Sequence, residues 1–271
     1  MPELPEVETI VKDLAPVLKG AKFSGIEIFN KNTVVGKVAD FAVIFGRKVS
    51  SVERRGKFII IFFDNDYVVT VHLRMTGRLL VSAEGNLKYE RARMTFGKTI
   101  LHYCDMRKFG RIWLNKKSEF EKETGIAKLG LEPLDKSFTF KRFLELVKGK
   151  KGIVKNFLLD QSQITGIGNI YADESCFYAV ITPNSRLENL SKKDLENLFL
   201  GIKKALTQGV KNRGTSVSDF IDTKGKKGKN QELLFVYKRA GKDCLVCGTK
   251  LHKTKTAGRT TVFCLSCQKK K

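Results

Sequence analysis

The sequence Asp160-Gln-Ser-Gln-Ile-Thr-Gly-Ile-Gly-Asn-Ile-Tyr-Ala-Asp-Glu174 connects two stretches of helical pattern through a glycine-flanked turn. Gly166 and Gly168 permit a positive φ or a close approach of the backbone, and Asn169 is predicted to cap the N-terminus of the second helix. Because free amides at a helix N-terminus bind phosphate, the stretch predicts a helix-turn-helix-like phosphate clamp. A tight turn between two helices, without any ligand, fits the same residues.

Helical periodicity continues on both sides of this stretch. Residues 118–124, 141–147 and 155–161 favour helices before it, and residues 171–178 and 192–209 favour helices after it. Near the start of the chain, residues 7–18 carry the apolar spacing of an amphipathic helix. Gly20 is a predicted stop after that helix, and Pro16 disfavours its last turn.

Residues 22–115 have the pattern of β-strands instead. Residues 23–29, 57–63, 67–73 and 99–103 are rich in β-branched and aromatic side chains, with turn residues at 64–66 and 84–86. Several short strands joined by turns predict a β-sandwich. Residues 129–136 are the predicted connection between this part and the helical part.

The six cysteines divide into four and two. Cys244-Leu-Val-Cys247 and Cys264-Leu-Ser-Cys267 are two Cys-x-x-Cys pairs with sixteen residues between them. This spacing is typical of a zinc ribbon, in which four thiolates close the coordination of one structural ion. Cys104 and Cys176 have apolar neighbours and are predicted core residues.

The charge of the chain favours a polyanionic partner. The 271 residues include 51 Lys and Arg against 28 Asp and Glu, so the formal charge is +23. Nucleic acid is the partner that such an excess most often indicates, and a ribosomal-type protein or an anionic membrane surface is the alternative. The apolar runs, such as residues 58–63, are too short to span a bilayer, and no signal peptide pattern precedes the first helix. We therefore expect a cytoplasmic protein.

The N-terminal sequence Met1-Pro2-Glu3 has a chemical interpretation and a structural one. Methionine is normally removed before proline, which would leave Pro2 as a secondary amine. Such an amine can attack a sugar aldehyde carbon and form a cationic iminium, with Glu3 beside it for acid–base catalysis. The structural alternative is a helix start, because Pro5 and acidic residues suit a first helical turn.

Three motifs occur in order along essentially the whole chain: Pro2-Glu-Leu-Pro-Glu6, Gly166-Ile-Gly-Asn-Ile-Tyr171 and the four-cysteine finger. Together they closely resemble the formamidopyrimidine-DNA glycosylase family, bacterial base-excision enzymes for oxidised purines. The resemblance implies an α+β multi-domain fold. It has a β-sandwich lobe with flanking helices (1–131), a helical lobe with a helix-two-turns-helix motif (132–222), and a basic loop with a zinc finger (223–271).

The resemblance also implies roles for individual residues. Pro2 resembles the Schiff-base nucleophile of the family, and Glu3 resembles its catalytic acid–base. Lys57 and Arg259 resemble the lysine and the finger arginine that grip phosphate near the lesion, and Asn169 resembles the asparagine that holds backbone phosphate. Without the resemblance, Lys57 would be interpreted as a solvated cation at the start of a strand.

Excision also requires the damaged nucleotide to leave the base stack. Met75, in His72-Leu-Arg-Met-Thr-Gly77, resembles the intercalating methionine of the family. Arg107 and Phe109, in Asp105-Met-Arg-Lys-Phe-Gly110, resemble its partners, since an apolar wedge can fill the gap and an arginine can pair with the orphaned base. The alternative is that Met75 and Phe109 are core residues.

The chain departs from the family pattern near the expected lesion pocket and wedge. A common His-Asp-His-Val stretch is replaced by Glu90-Arg-Ala-Arg-Met94, and a common Asp-Pro-Arg-Arg-Phe by Asp105-Met-Arg-Lys-Phe109. Arg74 stands where a smaller residue is frequent. Residues 223–230, rich in lysine and glycine, fall where the family keeps its lesion-capping loop, and a disordered basic linker is the alternative there.

The resemblance implies a bifunctional DNA glycosylase and AP lyase for 8-oxoguanine and formamidopyrimidines. The expected partner is damaged double-stranded DNA, the expected cofactor is one structural Zn²⁺, and the expected state is a monomer associated with the bacterial nucleoid. The opening resembles this family more than its endonuclease VIII relatives, which act on oxidised pyrimidines. Two non-enzyme alternatives are a damage-binding protein with the same scaffold and a zinc-ribbon ribosomal or transcription accessory protein.

Overall fold

The computed structural model describes residues 1–82, 87–217, 219–256 and 258–271. These residues form two compact units. Unit 1 consists of Met1–Lys128 with Asn212–Gln231, and unit 2 consists of Leu129–Lys211 with Glu232–Lys271. The domain boundaries expected at residues 131 and 222 stay a prediction, and the turn expected at residues 84–86 lies outside the described residues.

Unit 1 is a β-sandwich with helices at its edges. Its helices are α1 (Leu4–Leu18) and α2 (Phe120–Thr124). Its strands are β1 (Phe23–Ile28), β2 (Val34–Val35), β3 (Val49–Arg55), β4 (Phe58–Phe63), β5 (Tyr67–His72), β6 (Gly77–Ser82), β7 (Glu90–Phe96), β8 (Thr99–Asp105) and β9 (Arg111–Lys116).

The strands form two sheets around one apolar core. One sheet has the order β1-β7-β8-β6, and the other has the order β2-β9-β5-β4-β3. Both sheets and the apolar face of α1 bury side chains in the same core, which includes Leu14, Phe23, Ile59, Val71 and Tyr103. This confirms the predicted sandwich and places the ends of β5 and β8 at fixed positions.

The predicted helices and strands agree with the structure where an apolar pattern is strong. The predictions at 7–18, 57–63 and 67–73 correspond to α1, β4 and β5. Strands β2, β3, β6, β7 and β9 were not predicted. In β7, Ala92, Met94 and Phe96 are buried, but charged residues occupy the alternate positions and lower the apolar signal.

Unit 2 combines a helical part and a two-stranded hairpin. Its helices are α3 (Phe140–Val147), α4 (Val154–Leu159), α5 (Asn169–Tyr178) and α6 (Lys192–Lys211), and its strands are β10 (His252–Thr256) and β11 (Arg259–Phe263). Helix α6 packs closely on α5, because a Cβ added at Gly209 would lie 2.5 Å from the Tyr171 hydroxyl oxygen. None of the helices in the described part of the chain is long and apolar enough to cross a membrane.

The turn before α5 differs in one respect from the sequence prediction. Gly166 has a positive φ of 85°, as expected, but the N-cap of α5 is Gly168 and not Asn169. Asn169 is the first helical residue, and its side-chain amide donates to the Thr260 carbonyl oxygen at 3.1 Å. The prediction of Asn169 as N-cap was wrong because a partner on β11, distant in sequence, binds its side chain.

Candidate functional site

The predicted N-terminal residues lie at the start of α1 and are buried. The Glu3 amide donates to Glu6 Oε2 at 2.8 Å. The second oxygen of Glu6 accepts from the Thr215 amide at 2.7 Å. The buried carboxylate of Glu6 therefore fixes the backbone next to Pro2 and Glu3. Both residues lie at the N-terminus of α1, which is the positive end of its dipole.

Lys57 lies just before β4, and only 7% of its surface is exposed. It is therefore not a solvated cation. His72, at the end of the neighbouring β5, pairs with Phe58 across the sheet and is also buried. Burial lowers the pKa of His72 to about 3, with additional effects of Arg74 and Lys57. The imidazole is therefore neutral at physiological pH, close to the charge of Lys57.

The backbone around His72 decides which ring nitrogen carries the proton. The Arg74 amide donates to His72 Nδ1 at 3.0 Å. Because Nδ1 accepts this hydrogen bond, the single proton of the neutral ring must be on Nε2. His72 thus offers a neutral donor, a role that no motif in the sequence indicated.

The three predicted wedge residues contact one another in unit 1. Arg107 Nη1 donates to Met75 Sδ at 3.2 Å, and the Arg107 guanidinium lies 4.7 Å from the centre of the Phe109 ring. Met75 is 41% exposed and Phe109 is 48% exposed, so neither is a core residue. A single arginine therefore lies between two exposed apolar side chains that come from different loops.

The departure at residues 90–94 creates a buried polar cluster on β7 and β8. His102 Nδ1 lies 2.5 Å from Glu90 Oε1, and Arg93 Nη2 donates to Glu90 Oε2 at 2.9 Å. Burial raises the pKa of Glu90, but the hydrogen bonds from Arg93 and His102 outweigh it, so that pKa lies below its usual range. Arg93 and His102 therefore hold the Glu90 carboxylate by hydrogen bonds.

The four cysteines of unit 2 converge on one point. Their Sγ atoms all lie within 4.8 Å of one another, with 3.8 Å between Cys244 and Cys267 and 3.5 Å between Cys247 and Cys264. Tetrahedral zinc with bonds of about 2.3 Å to sulfur separates its ligands by about 3.8 Å. The donor set and its dimensions therefore fit zinc, and four protein ligands make the site structural.

A buried ion pair attaches strand β11 to the helices of unit 2. Lys155 Nζ lies 2.5 Å from Asp173 Oδ1, and neither side chain is exposed. Lys155 also donates to Thr261 Oγ1 at 2.8 Å, and the Val262 amide donates to Asp173 Oδ2 at 3.1 Å. Burial raises the pKa of Asp173, and the neighbouring Lys155 opposes that effect. The strand that begins at Arg259 is thereby fixed from α4 and α5.

The neighbouring acid of α5 holds a second segment. Glu174 accepts hydrogen bonds of 2.9–3.0 Å from the amides of residues 235–237. Next to this segment, Asn169, Lys238, Lys253 and Arg259 line a common cavity of about 480 Å³. Two predicted phosphate ligands, Asn169 and Arg259, therefore share one cationic cavity.

Residues 222–226 form a hydrogen-bonded turn in unit 1. Asp222 accepts from the amides of Lys224 and Lys226 at 3.0 and 2.9 Å. Arg213 donates to both Asp222 and Asp13 at 2.7 Å. The segment is thus anchored by an arginine between two carboxylates, which differs from a linker without contacts.

The β-sandwich, the helical part and the four-cysteine finger define the class of multi-domain zinc-finger proteins. Three family models match the chain in order: Formamidopyrimidine-DNA glycosylase N-terminal domain at residues 1–112, Formamidopyrimidine-DNA glycosylase H2TH domain at 129–221, and Zinc finger found in FPG and IleRS at 241–270. A formamidopyrimidine-DNA glycosylase from Pelotomaculum thermopropionicum is 40% identical over 276 residues, covering 100% of both chains. The chain belongs to the formamidopyrimidine-DNA glycosylase family.

Two solved structures show the same fold with DNA. One is a complex between the Lactococcus lactis Fpg and an abasic site containing DNA, at 32% identity and a TM-score of 0.91. The other contains the wild-type Lactococcus lactis protein and an oxidised pyrimidine containing DNA, also at 32% identity and a TM-score of 0.91. Each similarity covers 99% of this chain and 100% of the solved chain.

The structure divides the predicted site residues between the two units. Unit 1 contains Pro2, Glu3, Lys57, Met75, Arg107 and Phe109, and unit 2 contains Asn169, Arg259 and the four cysteines. Sequence reasoning missed His72, the Lys155–Asp173 pair and Glu174. The quoted motifs contained three of these residues, but only burial and long-range hydrogen bonds distinguish them from surface residues.

Proposed function

We propose that the chain is a bifunctional DNA glycosylase and AP lyase of base excision repair that removes 8-oxoguanine and formamidopyrimidines from double-stranded DNA. The observation that carries this proposal is the 40% identity, over the full length, to a relative named formamidopyrimidine-DNA glycosylase. The retained Pro2 and Glu3 support an enzyme over a non-catalytic damage-binding protein. Association with the nucleoid follows from the same proposal.

Pro2 supplies the nucleophile after Met1 is removed. Its nitrogen lone pair forms a bond to C1′ of the damaged nucleotide, the bond from C1′ to the base breaks, and the base leaves with a proton. Opening of the sugar ring then gives an iminium between Pro2 and C1′, and the ring oxygen takes up a proton. The buried position of Glu3 beside Pro2 suits the transfer of that proton.

The iminium draws electrons and so permits strand cleavage. Loss of a C2′ proton expels the 3′ phosphate by β-elimination, and loss of a C4′ proton expels the 5′ phosphate by δ-elimination. Hydrolysis of the iminium returns Pro2 and releases the unsaturated sugar fragment. The product is a one-nucleotide gap with phosphate at both ends.

Phosphate contacts hold the strand while this happens. In unit 1, Lys57 contributes a charge and neutral His72 contributes its Nε2 proton. In unit 2, Asn169 and Arg259 offer an amide and a guanidinium in one cavity. The guanidinium fork matches phosphate oxygens, and binding should fall steeply with salt concentration.

The wedge and the zinc site have supporting roles. Met75 and Phe109 fill the space of the extruded nucleotide, and Arg107 pairs with the base that remains. Zinc, held by Cys244, Cys247, Cys264 and Cys267, supplies folding energy to the finger and no reacting group. Residues 223–230 are the proposed lesion-capping segment.

An oxidised pyrimidine is the second candidate substrate. The Lactococcus lactis relative forms a complex with DNA that contains one. The departures at Glu90–Met94 and Asp105–Phe109 lie near the expected lesion pocket and wedge. Removal of oxidised pyrimidines would need the same Pro2 chemistry and a different base pocket.

The test compares single-turnover base release and strand cleavage on three duplexes. They contain 8-oxoguanine opposite cytosine, an oxidised pyrimidine opposite its natural partner, or an abasic site. The proposal expects fastest release of 8-oxoguanine and loss of that release in Glu3→Gln. Fastest release of the pyrimidine would change the substrate class, and cleavage of none of the three would overturn the proposed activity.

A further inference from the structure

Asp105 connects the two loops that carry the wedge. It is the last residue of β8 and is only 1% exposed. Its Oδ1 accepts from Thr76 Oγ1 at 2.5 Å and from the Arg107 amide at 3.1 Å. Its Oδ2 accepts from the Gly110 amide at 2.8 Å and from the Tyr103 hydroxyl at 3.3 Å. One carboxylate thus fixes the 73–76 loop and both ends of residues 107–110.

All four groups around the buried carboxyl group of Asp105 donate hydrogen bonds to it. Hydrogen bonds to a charged acceptor are shorter and about twice as strong as neutral ones. Burial, with the Asp105 charge beside it, raises the pKa of Tyr103, so its hydroxyl remains a donor at physiological pH. Removal of the acceptor would leave several buried donors without a partner, and unpaired buried donors destabilise the folded state.

The packing around Tyr103 leaves the two loops little freedom. A Cβ at Gly110 would lie 1.6 Å from the Tyr103 hydroxyl oxygen. A Cβ at Gly77 would lie 2.9 Å from the same oxygen and 2.4 Å from the Leu73 carbonyl oxygen. The tyrosine therefore contacts glycine backbone on both loops, and neither loop can shift independently toward it.

Each loop also contains a strained residue directly before its apolar wedge residue. Arg74 precedes Met75 with a φ of 53°, and Lys108 precedes Phe109 with a φ of 61°. A residue other than glycine is strained in this region and persists there only where its surroundings determine it. The hydrogen bonds to Asp105 are the surroundings that both loops share.

We propose that Asp105 is a positioning residue that holds Met75, Arg107 and Phe109 as one preformed wedge, and that this arrangement sets the rate at which the damaged nucleotide leaves the stack. The inference rests on the proposed glycosylase function. It assigns Asp105 to nucleotide extrusion and not to the chemistry at Pro2. Preformation matters because a wedge that must first order itself adds that entropy to the barrier.

The test uses Asp105→Asn in the zinc-loaded full chain. Asparagine has the same size, but its NH2 group replaces one acceptor oxygen. That group is a donor and would face other donors around position 105. We expect single-turnover release of the lesion from a fully paired duplex to fall by roughly 30- to 100-fold, since the base must leave the stack before it can be released. Cleavage at a preformed abasic site, which has no base to extrude, should change by less than about threefold.

A second pair of variants keeps the test informative if Asp105→Asn folds poorly. Thr76→Val removes one donor to Asp105 and one acceptor of the Arg107 amide and keeps the shape, whereas Thr76→Ser retains the hydroxyl. We expect Thr76→Val to slow release from the paired duplex and Thr76→Ser to restore it. The fluorescence of a 2-aminopurine placed next to the lesion should show slower unstacking in the variants that release the base slowly. A general loss of protein stability would not slow this signal.

Two results would overturn the inference. One is an equal loss on the lesion duplex and the abasic duplex with an unchanged 2-aminopurine signal, which would place Asp105 in the chemistry. The other is an unchanged rate on both duplexes in a folded Asp105→Asn. Failure of the proposed function itself is distinguishable, because the wild-type chain would then act on neither duplex.

Discussion

The wedge of unit 1 and the finger of unit 2 present exposed side chains by different means. In unit 1, buried Asp105 fixes two loops at the edge of a sandwich with one large apolar core. In unit 2, the finger packs on a small cluster that contains Phe177, Val236, Leu251 and Val262. Zinc and the buried Lys155–Asp173 pair must therefore supply much of the order of the finger.

The difference shows what each kind of region depends on. A loop next to a large core needs only hydrogen-bond acceptors in the right places, because the core already fixes the strand ends. A short hairpin with few apolar contacts needs a strong local constraint, and a structural zinc supplies one. The proposed phosphate-binding residues of unit 2 should thus lose their order when the metal is lost, and the proposed wedge of unit 1 should lose its order when its hydrogen bonds are lost.

Zinc removal should have the largest effect. Structural zinc contributes about 10–16 kcal/mol to the folding of small finger domains. We expect Cys264→Ser, or chelation, to unfold the finger and weaken DNA binding by roughly 100-fold through loss of the Arg259 contact. Circular dichroism of the sandwich should change little, and the control Cys104→Ala should keep one zinc per chain. Retention of DNA affinity by the zinc-free chain would contradict the comparison.

Substitution in the buried Lys155–Asp173 ion pair should have the second-largest effect. Removal of one partner leaves the other charge uncompensated and costs about 3–5 kcal/mol. We expect Lys155→Met to increase hydrogen exchange of β11 amides while exchange in β4 and β5 is unchanged. The double variant Lys155→Met, Asp173→Leu should recover most of the protection, since apolar replacement of both charges is often neutral. Equal destabilisation by the single and double variants would argue against the ion pair as the cause.

Acid should weaken unit 1 through His72. The unfolded chain binds a proton below pH 6.5, but the folded histidine does not until about pH 3. The free energy of unfolding should therefore fall as pH drops below 6.5, by about 2 kcal/mol at pH 5. Denaturant unfolding of the wild type and of His72→Gln at pH 7.5 and pH 5 measures the difference. The same pH dependence in both proteins would exclude His72 as its source.

The smallest expected effect concerns Lys238 in unit 2. Its φ of 57° is a conformation that glycine adopts without strain, and its side chain lines the cavity of Asn169 and Arg259. Lys238→Gly should raise the free energy of unfolding by about 1 kcal/mol. It should also weaken DNA binding, and the slope of log affinity against log salt concentration should fall by about one, as expected for the loss of one phosphate contact. A variant that is more stable and binds equally well would remove Lys238 from the interface, and exposed Lys141→Ala is the matched control.

Periodicity and cysteine spacing predicted much of the fold. The apolar runs of α1, β4 and β5 and the spacing of Cys244–Cys267 carry strong local signals, because burial on one face or metal ligation restricts residue type. Strand β7 was missed because Glu90, Arg91 and Arg93 occupy its other face. The N-cap at Gly168 was missed because the partner of Asn169 is distant in sequence.

The residues of the candidate site could be named from the sequence. The hydrogen bonds and ion pairs that support those residues could not. The resemblance indicated Pro2, Met75 and Arg107 because each lies in a stretch of sequence that matches a motif of the family. Nothing in the sequence distinguishes Asp105 from a turn aspartate, or Asp173 from an exposed helix residue. Their importance comes from burial and from partners on other strands and helices, which a linear pattern does not contain.

The most direct test of the proposed activity is borohydride trapping with peptide mapping. The zinc-loaded chain, with Met1 removed, is mixed with a duplex that carries 8-oxoguanine opposite cytosine, and borohydride reduces any iminium to a stable amine. The proposed mechanism predicts a covalent DNA adduct on the N-terminal peptide at Pro2. An adduct that maps to a lysine, or no adduct with either this duplex or an abasic one, would contradict it.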